Sequence, residues 1–316
     1  MNRMETMRAI GQDVLGGPEV LREIELERPV PRPNEVLVRV RAAGVNPTDW
    51  KHRANGGFLG EPPFVLGWDV SGVVEATGIG ASLFQPGDEV FGMLPYPFGH
   101  GSHAEYVTAP ARAFAPKPDA IDHTGAGALP LVSLTAWQAL VERADLRAGQ
   151  RVLIHAAAGG VGHVAVQIAK ARGAYVFGTA GAGKHDFLRG IGVDEPVDYR
   201  STDFTEAVRD VDVVLDTIGG DTSLRSLRVL RPGGLLVSIL PVGSDELYHE
   251  AERLGVRAVR MLVDADHHGM EAIARLAEQG RLRATIAGTF RPAEAARAHE
   301  LGETGRTTGK LVLLMD

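Results

Sequence analysis

The segment that decides the fold is Arg151-Val-Leu-Ile-His-Ala-Ala-Ala-Gly-Gly-Val-Gly162. Its apolar start is typical of a buried β-strand, which we predict over Arg151–Ala157. The residues that follow have the i, i+3, i+4, i+7, i+8 apolar spacing of an amphipathic helix, at Val161, Val164, Ala165, Ile168 and Ala169. A second strand is predicted at Ala174–Thr179. The segment therefore predicts a strand, a glycine loop, a helix and a parallel strand in succession.

The glycine loop indicates a dinucleotide site. Measured against G-x-G-x-x-G, it places Ala157 in the first position, with Gly159 and Gly162 in the other two. Gly159 lets the backbone approach a pyrophosphate, and Gly162 lets the helix pack closely on the strand. The amides at the helix N-terminus favour an anion there. A packing turn without a ligand is the alternative interpretation.

The rest of the chain shows two different patterns of apolar and polar residues. Further strands predicted at Val211–Thr217 and Leu235–Leu240 alternate with helices, which indicates a parallel sheet covered on both faces. The first hundred residues instead alternate with a period of two, as in Glu35–Arg41, and are rich in turns. The predicted fold class is α/β, with a β-rich domain and a doubly wound parallel-sheet domain.

Composition excludes several classes of protein. The 316 residues suffice for about two domains, and a net charge of −7 argues against a nucleic-acid partner. The absence of cysteine excludes disulfides, thiolate zinc sites, iron–sulfur clusters and cysteine nucleophiles. No run approaches the roughly 18 apolar residues of a membrane span, and the start lacks the apolar region of a secretory signal. We expect a cytoplasmic protein without a membrane partner.

The end of the second strand favours NADPH over NADH. NAD sites carry an acidic residue there, but Gly178-Thr-Ala-Gly-Ala-Gly-Lys184 has no carboxylate until Asp186. The Thr179 hydroxyl and the Lys184 ammonium suit a 2′-phosphate; a solvated lysine at a helix start is the alternative. The same stretch also fits G-x-x-x-x-G-K of phosphate-binding loops. That motif requires Ser or Thr after the lysine, where this chain has His185.

Histidine pairs are the remaining metal candidates. His100 and His103 form one pair, and His267 and His268 form another. Neither pair has a convincing third ligand nearby in the sequence. We predict no catalytic metal.

Several stretches occur in an order that resembles the medium-chain dehydrogenase/reductase superfamily, in its zinc-independent, quinone oxidoreductase-like branch. They are Asn46–Asp49, Gly67–Val74, Leu131–Trp137, Ala157–Gly162 and Asp216–Gly220. The resemblance covers essentially the whole chain. It implies a GroES-like catalytic domain over residues 1–124 and 265–316, a Rossmann NADPH-binding domain over residues 125–264, and a homodimer. Zinc-dependent relatives carry a cysteine near Asn46, and Gly-His-Glu in place of Gly67-Trp68-Asp69.

The same resemblance implies a set of cofactor-binding residues. Thr135 would lie near the nicotinamide. The pyrophosphate would be bound by Gly159, Gly160 and Val161, with Gly162 completing the loop. The adenosine 2′-phosphate would be held by Thr179, Lys184 and Tyr199, although Tyr199 is alternatively an exposed turn residue. The residues expected to line the rest of the cofactor are Thr217, Ile218, Leu240, Pro241 and Lys310.

Without a metal to stabilise an alkoxide, alcohol oxidation is disfavoured. A quinone or an α,β-unsaturated carbonyl delocalises the charge that arrives with a hydride, so we predict an NADPH-dependent reductase of such a small electrophilic acceptor. The candidate catalytic residues are Asn46 as a donor, Asp49 as an orienting group and Tyr96 as a proton donor. Asn46 is alternatively a helix cap, and Tyr96 a packing residue. An enoyl-thioester reductase and a non-catalytic NADPH-binding sensor or structural protein are the alternative functions.

Overall fold

The computed structural model describes residues 5–240 and 245–315. The chain divides into two compact units, Met1–Leu131 with Asp264–Asp316, and Val132–Val263. We call them the catalytic unit and the nucleotide unit. The divisions predicted from the sequence lie after residues 124 and 264.

The chain begins with β-structure in the catalytic unit. Eight strands run in order: β1 (Thr6–Gln12), β2 (Arg22–Glu27), β3 (Glu35–Val45), β4 (Phe64–Val65), β5 (Asp69–Thr77), β6 (Glu89–Met93), β7 (Tyr106–Pro110) and β8 (Phe114–Pro116). Two helices belong to this part, α1 (Pro47–Asn55) and α2 (His123–Ala128). Helix α2 packs closely on β3 at Gly127, where a Cβ would lie 2.8 Å from Ala42 O and leave no room for a side chain.

The nucleotide unit is built on a six-stranded parallel sheet. Helix α3 (Pro130–Trp137) leads into it and continues as a π-helical turn, Gln138–Arg143. The strands are β9 (Arg151–Ile154), β10 (Tyr175–Ala180), β11 (Glu195–Asp198), β12 (Val211–Asp216), β13 (Leu230–Ser238) and β14 (Arg257–Arg260). The helices are α4 (Gly160–Ala171), α5 (His185–Gly190), α6 (Phe204–Ala207), α7 (Asp221–Ser226) and α8 (Asp245–Arg253). The strand order β11-β10-β9-β12-β13-β14 is that of a doubly wound dinucleotide-binding sheet.

The chain then returns to the catalytic unit through α9 (His267–Glu278), β15 (Ile286–Phe290), α10 (Ala295–Glu303) and β16 (Lys310–Leu314). The last strand inserts beside β3 in antiparallel register, with Leu311 opposite Val45. This completes the sheet β15-β16-β3-β5-β6-β8, in which β7 also pairs with β3. A smaller sheet has the order β2-β1-β4. The predicted α/β fold class is confirmed.

The parallel sheet is covered on both faces, and its central strands are correspondingly apolar. Val152, Leu153 and Ile154 of β9 are fully buried. Burial on both faces explains why the sequence reads as a continuous apolar run rather than an alternating one. Four of the five residues of the predicted apolar stripe on α4 are also fully buried, Val164, Ala165, Ile168 and Ala169, whereas Val161 is only partly buried.

Two predicted strands extend two or more residues beyond the observed strand ends. Strand β9 ends at Ile154 instead of Ala157, because Ala156 takes a left-handed conformation with φ +45° and the chain turns there. Strand β13 ends at Ser238, so Leu240 follows the strand instead of closing it. Across the described ranges, no helix combines the length and the apolar character needed to cross a bilayer.

Candidate functional site

The glycine loop of the nucleotide unit presents main-chain amides at the start of α4. The Gly159 N–H donates to Ala156 O at 2.8 Å, which closes the turn, and the helix begins at Gly160. The N–H groups of the first helical turn, Gly160 to Gly162, have no acceptor within a helix. Together with the positive end of the helix dipole, they form a place for an anion.

The two glycines of the motif serve different purposes. A Cβ on Gly162 would lie 2.3 Å from Ala156 O and 2.7 Å from Ala157 Cα, so this position has no room for a side chain. A Cβ on Gly159 would meet only Ala156 O, at 3.2 Å, and would otherwise face open space. The cradle therefore fits the pyrophosphate of a nicotinamide dinucleotide, with Gly162 packing the helix and Gly159 leaving room for the ligand.

The loop after β12 lies beside the glycine loop, because β9 and β12 are neighbouring strands. The Thr217 hydroxyl donates to His155 O at 2.9 Å. The buried Asp216 carboxylate accepts the N–H groups of Ile218 at 3.0 Å and Gly219 at 2.9 Å. The structure thus brings Thr217 and Ile218 to the same edge of the sheet as the glycine loop.

Leu240 packs on this second loop. A Cβ on Gly219 would be 2.4 Å from Leu240 Cδ1. Pro241, predicted beside it, lies outside the described residues. Thr135, predicted near the nicotinamide, is 5% exposed within α3.

Two basic side chains, Lys184 after β10 and Arg200 after β11, lie close together, and we call them the basic group. Burial lowers the pKa of Lys184, the Arg200 guanidinium lowers it further, and Tyr199 opposes them by raising it, so the three side chains are neighbours. Arg200 Nε lies 3.4 Å from Tyr199 Oη. A Cβ on Gly181 would be 3.6 Å from the Arg200 guanidinium carbon, which places Arg200 beside the loop that follows β10. Arg200 was not among the residues predicted from the sequence, although it directly follows Tyr199.

Thr179 differs from these residues in exposure. Its side chain is 4% exposed, and its hydroxyl lies 3.1 Å from Ala156 N and 3.2 Å from His155 Nδ1. The hydroxyl therefore contacts the main chain of the glycine loop at Ala156 from within the core.

The catalytic unit holds a buried network around Asn46. The Asn46 amide nitrogen donates to Asp69 Oδ2 at 2.8 Å, and Lys310 Nζ donates to the Asn46 amide oxygen. Lys310 also donates to Asp69 Oδ2 at 3.2 Å and to Val45 O at 3.1 Å. An ammonium has three hydrogens, and these three acceptors use all of them. Lys310, predicted to contact the cofactor, therefore orients the Asn46 carboxamide.

Asp49 caps the helix that follows Asn46. Its Oδ2 accepts the Asn46 N–H at 2.6 Å, whereas its buried Oδ1 has no hydrogen-bond partner among the described residues. Burial raises the pKa of Asp49 to about 7, despite the opposing effects of the Asn46 amide and Lys310. Asp69 adds to the rise through charge repulsion. Asp49 thus titrates near neutral pH.

Tyr96 lies at the edge of an aromatic group. Its hydroxyl is 3.0 Å from Thr48 Oγ1, and its ring centroid is 5.3 Å from that of Trp68 and 6.1 Å from that of Phe58. Burial raises the pKa of Tyr96, so the phenol keeps its proton at neutral pH. Tyr96 and Asn46 are linked through α1, since Thr48 and Asn46 both belong to its first turn or cap.

These residues do not fit a zinc ion. At the positions where the resemblance gives zinc-dependent relatives a cysteine and Gly-His-Glu, Trp68 donates its Nε1–H to Pro97 O at 3.1 Å and the Asn46 carboxamide is bound by Asp69 and Lys310. The buried Lys310 ammonium would repel a cation placed there. Within residues 5–240 and 245–315, no three His, Asp or Glu side chains are grouped so that they could hold a metal.

One further constellation has the residue types of a hydrolase triad. Ser71 Oγ lies 2.8 Å from His123 Nδ1, and His123 Nε2 lies 3.3 Å from Glu89 Oε1. Ser71 is completely buried in β5, so no substrate can reach its hydroxyl. The group packs α2 on the sheet.

Comparison with known proteins agrees with both units. Residues 32–119 match the alcohol dehydrogenase GroES-like domain, and residues 191–313 match the zinc-binding dehydrogenase family. Human quinone oxidoreductase is 31% identical over 327 residues, covering 98% of each chain. The chain belongs to the medium-chain dehydrogenase/reductase superfamily. Within it the chain falls in the quinone oxidoreductase-like branch, which confirms the predicted resemblance.

Two other proteins are similar to the chain over most of its length. The human NAD(P)H oxidoreductase RTN4IP1, mitochondrial, is 32% identical over 358 residues, covering 98% of this chain and 90% of the relative. The structure of the quinone oxidoreductase from Coxiella burnetii has a TM-score of 0.93 at 35% identity, covering 99% of this chain and 100% of the other. As a member of this superfamily, the chain is an oxidoreductase with a nicotinamide dinucleotide cofactor.

Proposed function

We propose that this protein is a zinc-independent, NADPH-dependent oxidoreductase that transfers a hydride to a quinone or an α,β-unsaturated carbonyl. The observation that carries the proposal is the Lys310 ammonium, buried between Asn46 and Asp69, at the positions where the resemblance gives zinc-dependent relatives a cysteine and a glutamate. A reaction that needs no Lewis acid suits this arrangement, because a quinone or enone accommodates the arriving negative charge on its own oxygen.

The preference for NADPH rests on the basic group after β10 and β11. Lys184 and Arg200 supply two positive charges beside Tyr199. The Asp198 carboxylate at the end of β11 is occupied by hydrogen bonds: it accepts the Arg200 main-chain N–H at 3.1 Å and the Ser201 hydroxyl at 2.8 Å. This arrangement supports binding of a 2′-phosphate rather than a ribose 2′-hydroxyl.

The bound cofactor supplies the hydride. Residues of this protein bind and orient the acceptor and supply the proton that completes its reduction. We assign proton donation to the Tyr96 hydroxyl, which is only partly buried and hydrogen-bonded to Thr48. Asn46, predicted as a donor to the acceptor, is completely buried and gives an amide N–H to Asp69, so we assign it to holding the Asp69–Lys310 pair instead of contacting the acceptor oxygen. Asp49 holds the main chain of Asn46 through the Asn46 N–H.

The proposal is tested by following anaerobic NADPH and NADH oxidation by metal-stripped protein. A quinone, an α,β-enone and an enoyl thioester serve as acceptors. We expect turnover with the quinone or the enone, faster with NADPH, and unchanged by added zinc. Turnover restricted to the thioester would make the protein an enoyl-thioester reductase. A zinc requirement would overturn the metal-free mechanism, and tight NADPH binding without turnover would indicate a sensor.

Tyr96→Phe is the matched variant for this experiment. Because the phenol oxygen alone is removed, kcat should fall while the Kd for NADPH stays constant. An unchanged kcat would remove Tyr96 from the mechanism.

A homodimer and a cytoplasmic location belong to the same proposal. Light scattering of the purified protein tests the first, and imaging of the tagged protein tests the second.

A further inference from the structure

The His155 ring lies below the glycine loop and makes a hydrogen bond on each side. Its Nε2 is 2.8 Å from Ser226 Oγ, at the end of α7, and its Nδ1 is 3.2 Å from Thr179 Oγ1, in β10. The residue is 2% exposed, and the ring of Phe204 packs edge-on against it at 4.9 Å. His155 follows β9 directly, so it sits where three elements of the nucleotide unit meet.

The direction of each hydrogen bond follows from its neighbours. The Ser226 hydroxyl donates to Thr222 O at 2.6 Å, so its oxygen must accept from His155 Nε2. Burial lowers the pKa of His155 to about 4, so the ring is neutral at pH 7 and carries one proton. With that proton on Nε2, Nδ1 is an acceptor, and the Thr179 hydroxyl donates a hydrogen bond to it.

This series of hydrogen bonds runs from Ser226 through His155 and Thr179 and ends at the glycine loop. The Thr179 hydroxyl, which donates its hydrogen bond to His155, accepts the Ala156 N–H at 3.1 Å. Ala156 has φ +45°, a conformation that a non-glycine residue keeps only when its surroundings hold it. Its carbonyl closes the loop by accepting the Gly159 N–H. The position of Ala156 therefore sets where the amides of the first turn of α4 point.

We infer that His155, as its neutral Nε2–H tautomer, is a positioning residue for the cofactor pyrophosphate: it fixes the Thr179 hydroxyl, which holds Ala156 and with it the glycine loop. Thr179 then acts on the pyrophosphate through the loop, not on the 2′-phosphate by direct contact. The inference rests on the nicotinamide cofactor and not on the proposed acceptor. Measurements of binding without any acceptor therefore separate its failure from failure of the proposed function.

The main experiment compares Thr179→Val, which removes the hydroxyl at constant shape, with Thr179→Ser, which keeps it. Fluorescence titration gives the Kd for NADPH and NADH. We expect Thr179→Val to weaken both by the same factor, about three- to tenfold, as for the loss of one hydrogen bond. Thr179→Ser should stay within about twofold of the native protein. Thr205→Val, which removes a partly exposed hydroxyl that donates to Asp203, away from the glycine loop, is the control for hydroxyl loss.

Three results would overturn the inference. They are an unchanged Kd for both cofactors in Thr179→Val, a loss confined to NADPH, and a loss in Thr179→Ser as large as in Thr179→Val. The second result would instead place Thr179 on the 2′-phosphate.

The tautomer is measured independently on the unmodified protein. Nitrogen-15 NMR of the labelled chain should show His155 protonated at Nε2 and not at Nδ1, and this measurement decides the matter if Thr179→Val does not fold. Ser226→Ala removes the Nε2 acceptor and should change the His155 signals while weakening NADPH and NADH equally. Protonation at Nδ1 in the native protein would contradict the proposed chain of hydrogen bonds.

Discussion

Lys310 is a single side chain on which the interior of the catalytic unit depends. It is 3% exposed, and its ammonium lies against the Asp69 carboxylate, which is completely buried. Two charges taken out of water are stable only while each compensates the other. Since Asp69 also accepts the Leu131 N–H at 2.6 Å, the pair ties β5 and β16 to the start of α3.

Lys310→Met should therefore lower the free energy of unfolding by about 3–5 kcal/mol, because it leaves Asp69 buried without a cation. Urea denaturation at pH 7 measures this change. Adding Asp69→Asn to Lys310→Met removes the uncompensated charge and should restore part of the loss. If the double variant is no more stable than Lys310→Met, charge compensation is not what Lys310 contributes.

Lys184 and Arg200 are predicted to select the cofactor. Each forms a charge-assisted contact with a 2′-phosphate in our proposal, so Lys184→Ala and Arg200→Ala should each weaken NADPH by roughly 10- to 150-fold. NADH, which lacks that phosphate, should bind as before. Titration of each variant with both cofactors gives the ratio, and Lys51→Ala, in the catalytic unit, controls for loss of a positive charge. An unaltered Kd for NADPH in both variants would refute the assignment.

At the scale of elements, the two glycines between β9 and α4 have different roles. Gly162 is needed for helix packing, and Gly159 is needed for ligand binding. Gly162→Ala forces a methyl group to within 2.3 Å of Ala156 O, so it should destabilise the fold by about 1–3 kcal/mol. Gly159→Ala meets only one atom, at 3.2 Å, and should leave the stability nearly unchanged while abolishing tight cofactor binding.

Thermal melting and cofactor titration of both variants test this separation. Gly190→Ala, at the end of α5, where a Cβ meets nothing within 4 Å, is the control for adding a methyl group to a helix. Equal losses of stability in Gly159→Ala and Gly162→Ala would show that the two glycines do not have separate purposes.

For the whole molecule, buried titrating groups make stability depend on pH in two opposite ways. Burial lowers the pKa of His103 and of His155 to about 4, and that of His299 further still. These rings stay neutral when folded, so they contribute stability above about pH 6.5 that is lost as pH falls toward 4. Asp49 has the opposite sign: its raised pKa contributes stability at low pH that is lost as pH rises from about 4 through about 7.

Because three histidines outweigh one aspartate, the free energy of unfolding should fall by about 1–3 kcal/mol per pH unit on acidification from pH 6 to 4.5. Asp49→Asn, which keeps an acceptor for the Asn46 N–H, should steepen this loss and should be more stable than the native protein above pH 7. Urea denaturation across pH 4.5–8 checks both trends. A native protein whose stability does not vary over this range would contradict the assigned protonation states.

The sequence anticipated what depends on neighbours along the chain. The run from Arg151 to Gly162 and the stripe on α4 predicted the α/β class, because strand, loop and helix signals are local spacings. The ordered stretches from Asn46 to Gly220 predicted the family for the same reason. The missed end of β9 shows the limit, since the left-handed turn at Ala156 is held by Thr179, 23 residues away.

Only the tertiary structure decided the partners of the polar side chains. Lys310 meets Asn46 and Asp69 across 264 and 241 positions of the chain, which no local pattern reveals. Arg200 joins Lys184 because β10 and β11 are adjacent in the sheet. Local spacing determines which elements form, whereas the packing of distant elements determines which buried charges and hydrogen bonds they share, and therefore which residues act on the cofactor and which hold the others in place.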